Sequence, residues 1–172
     1  VANFDVCFSW LMESEDPQHL CEKVSDAPPG AWAISGVNSA AFPGEFEAIA
    51  ALAQNERALA VEQFYERNFW KVWYAQLTSD EVAKRVFDAA VNAGSVASVR
   101  CLQEAVNSFP IQVPLVEDGV FGPQTVAKAN ILHAPSLVSN FCARRVAYYQ
   151  AIVAAHPEDA QYLKAWTARA QR

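Results

Sequence analysis

The sequence predicts a mainly α-helical protein with a small β-hairpin in the loop after its first helix. Three observations lead there. Apolar residues recur at helical spacing near the N-terminus and again through most of the chain beyond residue 44, the stripe a helix buries. Between residues 14 and 44 that period vanishes, and Pro17, Pro28, Pro29, Gly30, Gly36, Pro43 and Gly44 punctuate the chain. Inside the gap, Trp32-Ala-Ile-Ser-Gly-Val-Asn38 carries enough β character for a short hairpin. A chain of 172 residues fits one domain at roughly 100 to 200 residues each. With 52% hydrophobic and 19% charged residues, five tryptophans and only six glycines, disorder, collagen-like repeats and a small disulfide scaffold are excluded.

The first helix is expected over residues 3–13, where Phe4, Cys7, Phe8, Leu11 and Met12 form one face. The gap that follows is longer than the roughly 12 to 15 residues usual for a structureless loop, and loops of that length tend to be functional. Helices are then expected over residues 45–55 and 56–74, the second carrying Leu59, Gln63, Tyr65, Phe69, Trp70 and Trp73. Thr78-Ser-Asp-Glu81 fits a capping box that opens a helix running to Ala93. Gly94 supplies a left-handed stop, and Ser95 is placed to cap the next helix through Val99, Leu102, Val106 and Phe109, the two forming an antiparallel pair. After a loop over 110–122, Pro123 suits a first helical turn, and helices over 124–132, 136–155 and 157–169 complete the chain. No internal repeat or low-complexity tract is visible.

Thirteen basic against nineteen acidic residues give a net charge of −6, so no global basic field gathers phosphates and nucleic acid is not an expected partner. The basic pair Arg144-Arg145 beside Tyr148 and Tyr149 fits an inward ion pair better than phosphate contact. No stretch reaches the roughly 18 to 20 consecutive apolar residues of a membrane span, and the N-terminus lacks the basic region of a signal peptide; localisation is left open. Cys7, Cys21, Cys101 and Cys142 match no metal-ligand spacing. They are expected as thiols, or at most one bridge, with Cys21 in the long loop exposed and the other three on helices. His19, His133 and His156 are scattered, without the neighbours of a catalytic triad or a zinc motif.

Glu13 ends the first helix directly before the long loop. A carboxylate there faces the negative end of the helix dipole, Glu15 and Asp16 add like charge, and both effects favour the neutral acid. A protonated carboxylic acid is what glycoside cleavage needs to protonate the departing oxygen; the plain alternative is a solvated helix end. Asp88 and Asn92 lie four apart on one helix face, suited either to line a cleft or to clamp helices together. Among the aromatics, Trp32 on the loop is the better candidate to stack on a ligand, while Trp70 is expected in the core.

Several pieces, in order, resemble the glycoside hydrolase family 108 muramidases with their C-terminal peptidoglycan-binding-type segment, the family of many phage endolysins and secretion activator proteins. They are Asn3-Phe-Asp-Val-Cys-Phe8 leading to Glu13, Ser35-Gly-Val-Asn38 where the family has Tyr-Gly-Ile-Thr, and Phe64-Tyr-Glu-Arg-Asn-Phe-Trp70. Further along come Phe87-Asp88, Asn92-Ala-Gly94, Leu102-Gln103, Asp118-Gly-Val-Phe-Gly-Pro-Gln-Thr125, Arg145 with Tyr148-Tyr149, and Trp166 with Arg169.

The resemblance implies one lysozyme-like domain over residues 1–172, with a hydrolase part over 1–93 and a peptidoglycan-binding-type helical part over 94–172 packed on it. It implies a monomer that cleaves the β-1,4 bond of peptidoglycan glycan strands without cofactor or metal. Glu13 would be the general acid, Asp26 the second carboxylate with Glu22 as runner-up, and Trp32, Asn38, Asp88 and Asn92 the substrate contacts. The departures fall at the catalytic end: the family's Gly-Gly is Ser14-Glu15 here, the stretch to Gly36 is longer, and Ala33 replaces a threonine. Two other readings follow from these departures, a glycan-binding or protein-interaction module that has lost catalysis, and a glycosidase for a chitosan-like or modified glycan. The Asp118-Gly119 turn fits architecture at least as well as glycan contact.

Overall fold

The computed structural model describes residues 1–70 and 73–172. It is mainly helical, with eight α-helices and one three-stranded antiparallel sheet among the described residues, a lysozyme-like architecture. The backbone divides into two compact units, Phe4–Trp70 and Val1–Asn3 with Lys71–Arg172.

In the first unit α1 spans Phe4–Glu15 and buries Cys7, Leu11 and Met12. It runs two residues past its expected end because the first obstacle is Pro17, whose ring disfavours helical backbone at Asp16. The sheet is larger than a hairpin, with β1 (Lys23–Asp26), β2 (Ala31–Ile34) and β3 (Val37–Asn38) paired in that order. Lys23 pairs with Ile34 and Asp26 with Ala31, while Ala33 pairs with Asn38. Every residue of β1 is exposed, so it has no alternation by which to be read. The two-residue turn Ser35-Gly36 has φ of +45° and +80°, the positive pair that a type I′ hairpin demands.

Next come α2 (Pro43–Ala50), with Pro43 in its first turn, and α3 (Arg57–Asn68), preceded by a 3-10 turn at Gln54–Glu56. These helices share an aromatic core in which Phe42 meets Phe64 at 5.0 Å and Phe64 meets Tyr65 at 5.1 Å. The helix expected over 56–74 is shorter, and its expected residues Lys71 and Val72 lie outside the described residues. Asn68 donates its side-chain amide to the Phe64 carbonyl at 2.9 Å, a local bond that competes with the helical ladder. Trp70, expected in the core, is half-buried, edge-on to Phe4 at 5.4 Å. Leu59, expected on the buried stripe, is exposed.

The second unit contains α4 (Asp80–Ala93), α5 (Ser95–Asn107), α6 (Pro123–Asn130), α7 (Ala134–Ala155) and, after a 3-10 segment at Pro157–Tyr162, α8 (Leu163–Ala170). Ser79 rather than Thr78 caps α4, accepting from the Val82 N–H at 3.4 Å. Glu81 is drawn away from the expected capping box by Lys84 at 2.6 Å and Arg85 at 2.7 Å. Gly94 stops α4 with φ +88° and ψ 150° and is itself the N-cap of α5, a role expected of Ser95. Residues 93 and 94, where the sequence suggests a division, lie inside this unit: α4 and α5 pack together, and the buried Ser98 hydroxyl donates to the Val86 carbonyl at 2.6 Å. α7 packs across both and against α8. All four cysteines are free thiols; Cys21, expected exposed, is buried with φ +49°. Among the described residues no helix is long and apolar enough to cross a membrane.

Candidate active site

Five carboxylates of the first unit, Glu13, Glu15, Asp16, Glu22 and Asp26, lie in the last turn of α1 and along the chain to the end of β1. Glu13 lies in the last turn and is exposed, whereas Glu15, the final helical residue, is half-buried. The reason is the β2–β3 turn. A Cβ built on Gly36 would fall 2.5 Å from Glu15 Oε2 and would overlap the Tyr65 hydroxyl, so the Glu15 carboxylate and the Tyr65 phenol converge on the backbone of Gly36. Only glycine suits a position that is both left-handed and this closely approached. The buried Tyr65 hydroxyl donates to the Ser35 carbonyl at 2.9 Å and fixes the turn from α3.

Asp16, the next residue, organises the loop. Its Oδ1 accepts from the Leu20 N–H at 3.1 Å, and its Oδ2 from the Cys21 N–H at 2.8 Å and the Ser35 hydroxyl at 2.7 Å. Burial alone would raise the Asp16 pKa, but the bonds from Ser35, Cys21 and Leu20, with the nearby His19, together hold it below the usual carboxylate value. His19, Cys21 and Ser35 have φ of +53°, +49° and +45°, a conformation costing roughly 1 to 2 kcal/mol in non-glycine residues. Asp16 bonds Ser35 and Cys21 directly and spans His19. Backbone strain held by side-chain bonds is a mark of functional loops.

Asp26 ends β1, exposed, with Oδ1 accepting from the Ala27 N–H at 2.8 Å and Oδ2 from Asn38 Nδ2 at 2.8 Å. Asn38 also donates to the Ala27 carbonyl at 2.7 Å and accepts at Oδ1 from Ala40 and Ala41. Its amide is committed to holding Asp26 and the chain leaving β3, rather than facing a ligand as expected. Trp32 points outward on β2, 43% exposed, with the Lys23 ammonium 4.8 Å from its ring centroid. Glu22 is exposed, and Ala33 is buried at 4% exposure, where a hydroxyl would face the interior.

Asp88 and Asn92 belong to the second unit and take the clamp alternative. Asp88 is fully buried, paired with Arg145 at 2.6 Å and Arg169 at 2.8 Å. It has no surface to offer a sugar. Asn92 accepts from Tyr149 and, at 3.5 Å, from Arg145. The Asp118 turn is likewise architectural. Gln103 donates to Asp118 Oδ1 at 2.9 Å and accepts from the Gly119 N–H at 2.9 Å, and Gly119 with φ +75° lies against Val96. Among the described residues no group of three or more His, Cys, Asp or Glu is arranged to hold a metal ion.

Residues 25–94 match the family described as Glycosyl hydrolase 108, and residues 97–171 match the one described as Predicted Peptidoglycan domain. The chain thus carries a glycosyl hydrolase 108-type segment followed by a peptidoglycan-domain-type segment. The first segment supports a glycoside hydrolase, and the second is peptidoglycan-related. A solved structure of Brucella abortus SagA is similar, with a TM-score of 0.70 at 23% identity over 98% of this chain and 90% of that one. At that identity the likeness concerns the fold. No curated protein matches the chain. The glycosyl hydrolase 108 match begins after α1, so the helix carrying Glu13 and Glu15 lies outside it, while Asp26, Trp32, Asn38, Asp88 and Asn92 lie inside.

Sequence reasoning gave Glu15 and Asp16 only as like charge beside Glu13, and Tyr65 only as an aromatic on a helix face. Asp16-Pro17 was available as a turn-initiating pair, but its partner Ser35 lies 19 residues away. Nothing local marks Glu15 above Glu13; the difference is made by Gly36.

Proposed function

We propose that the protein is a muramidase, hydrolysing the β-1,4 bond between N-acetylmuramic acid and N-acetylglucosamine in peptidoglycan. The observation that carries this reading is the half-buried Glu15 carboxylate, seated against Gly36 beside the Tyr65 phenol at the end of α1. A general acid must keep one geometry towards the glycosidic oxygen, and Glu15 is half-buried against Gly36 and Tyr65, whereas Glu13, the candidate by sequence position, is exposed. Asp26, pinned by Asn38, is the carboxylate we assign to activating water, and Trp32 offers an exposed ring for a sugar face. The acid would protonate the leaving oxygen while water attacks the anomeric carbon and gives its proton to the second carboxylate, both groups then exchanging protons with solvent; if the second carboxylate attacks instead, the glycosyl ester it forms is hydrolysed by a water that gives its proton to the now ionised acid.

Purified cell wall digested by the wild type, Glu15→Gln and Glu13→Gln, read as new reducing ends, tests this. Glu15→Gln should lose at least about 100-fold of the activity, the lower range for a general acid, with Glu13→Gln much milder and both variants folded. Full activity of Glu15→Gln removes it from the mechanism. A second reading, a glycan-binding module without catalysis, follows from Ser14-Glu15 at the end of α1 and the longer stretch to Gly36, where the chain departs from the family's pattern. A wild type that binds wall and releases no reducing ends would establish that reading.

A further inference from the structure

A groove of about 630 Å³ runs between α5 and α7 in the second unit and reaches the α4–α5 joint. It contains none of the residues assigned above to the candidate active site. Its floor is small and apolar, with Ala93, Ala97, Ala147 and Ala151, and the Tyr148 ring forms part of its wall. Three charged side chains line it: Arg100 and Glu104 from α5 and Arg144 from α7.

The charges are available. Arg100 gives its Nε to the Glu117 carbonyl at 3.1 Å and interacts with the Asp118 charge, and among the described residues its two terminal nitrogens make no hydrogen bond. The exposed Arg144 and the half-buried Glu104 have no side-chain hydrogen bond or ion pair among the described residues. Two guanidiniums contributed by facing helices suit a carboxylate, which they bind through paired N–H groups. Glu104, in the same groove, suits an ammonium and opposes a polyanion such as nucleic acid, as does the net charge of −6. The alanines present only small apolar side chains to an occupant, and the volume falls in the roughly 300 to 1,000 Å³ range of small-ligand sites.

We propose that this groove binds a short peptide bearing both a free carboxylate and an ammonium group, with the peptide stems of peptidoglycan as the source. The choice of source rests on the function proposed above; the groove's chemistry does not. The enzyme would then hold its polymer at two chemically distinct features, the glycan at the first unit and the stem at the second.

Isothermal titration and amide NMR with a synthetic diaminopimelate-containing stem tetrapeptide, free of sugar, test the inference on the whole chain. The peptide should bind, shifting the amides of Val96, Ala147 and Tyr148. Binding should weaken about tenfold or more in Arg144→Gln, the loss expected of one charge-assisted contact, and less in Arg144→Lys. Arg144 is exposed, so the variant should keep the wild-type circular dichroism. Blocking the peptide carboxylates as amides should abolish binding. A wild type that does not bind, shifts confined to other residues, or unchanged affinity in Arg144→Gln would overturn the site. Equal affinity for a linear all-L tetrapeptide of the same charge would overturn the stem as its source. Because no glycan is present, a protein that binds the stem yet releases no reducing ends from wall refutes the hydrolase alone, and the converse refutes this site alone.

Discussion

Adjacent residues in this chain carry opposite duties, and the fold decides which is which. Glu15 and Asp16 are neighbours, yet one meets Gly36 and Tyr65 while the other is closed in by three donors. Arg144 lines an open groove, while Arg145, one step round the helix, is 2% exposed and bonded to Asp88. Asp16 yields a prediction of its own. Asn is nearly isosteric, but its amide nitrogen would face either the Cys21 N–H and the Ser35 hydroxyl or the Leu20 N–H. Asp16→Asn should therefore lose about 1 to 3 kcal/mol, the usual penalty when a bond to a charged group becomes a mismatch. Because the folded pKa of Asp16 is lowered, its contribution is present above the unfolded value near 3.8 and is lost as pH falls through the folded one. Urea unfolding at pH 7 and in acid should show the difference between wild type and variant shrinking at low pH. A gap that stays constant to pH 2 would mean the carboxylate's charge is not what the loop uses.

At the scale of elements, the β2–β3 turn links the sheet to the acid-bearing helix. Gly30 and Gly36 make a matched pair: φ is +91° and +80°, but a Cβ at Gly30 meets nothing within 4 Å, whereas at Gly36 it meets Glu15 and Tyr65. Gly30→Ala should cost about 1 to 2 kcal/mol of backbone strain and leave wall digestion intact. Gly36→Ala carries the same strain together with displacement of Glu15, so it should lose both more stability and most of the activity. If the two variants behave alike in digestion, the Gly36 contact does not position the acid.

The same turn explains what could be read in advance. Most helices after residue 78 were legible to within a few residues, since Gly94 and Pro123 punctuate them and Val99, Leu102 and Val106 repeat at helical spacing; the last, expected from residue 157, begins at Leu163 after a 3-10 segment. β1 was not, because Lys23, Val24, Ser25 and Asp26 are all exposed and alternate in nothing. The aromatic run at Phe69-Trp70 read as continuing helix, and only the Asn68 to Phe64 bond reveals the stop. The site was half legible for a related reason. The long loop marked its region, whereas the choice among Glu13, Glu15, Asp16 and Asp26 depends on partners far along the chain.

Over the molecule as a whole, the buried charge of the second unit is the strongest constraint on stability. Asp88 on α4 joins Arg145 on α7 and Arg169 on α8, drawing three helices from distant parts of the sequence to one carboxylate. Such a cluster contributes little net energy when intact, since desolvation offsets attraction, but removing one member strands the others. The three members differ in what their loss leaves behind. Asp88→Asn leaves two guanidiniums facing a neutral amide, Arg145 being almost fully buried, and should cost about 3 to 5 kcal/mol. Arg169→Gln leaves the Asp88 and Arg145 pair intact, and the Arg169 side chain is already 19% exposed, so its loss should cost about 1 to 3 kcal/mol. Thermal unfolding of the two variants, followed by far-ultraviolet circular dichroism, ranks them. Equal losses, or a larger one for Arg169→Gln, would mean that Asp88 is stabilised by its surroundings without its partners, and that helix packing around Leu102, Leu137 and Phe141 holds this unit together on its own.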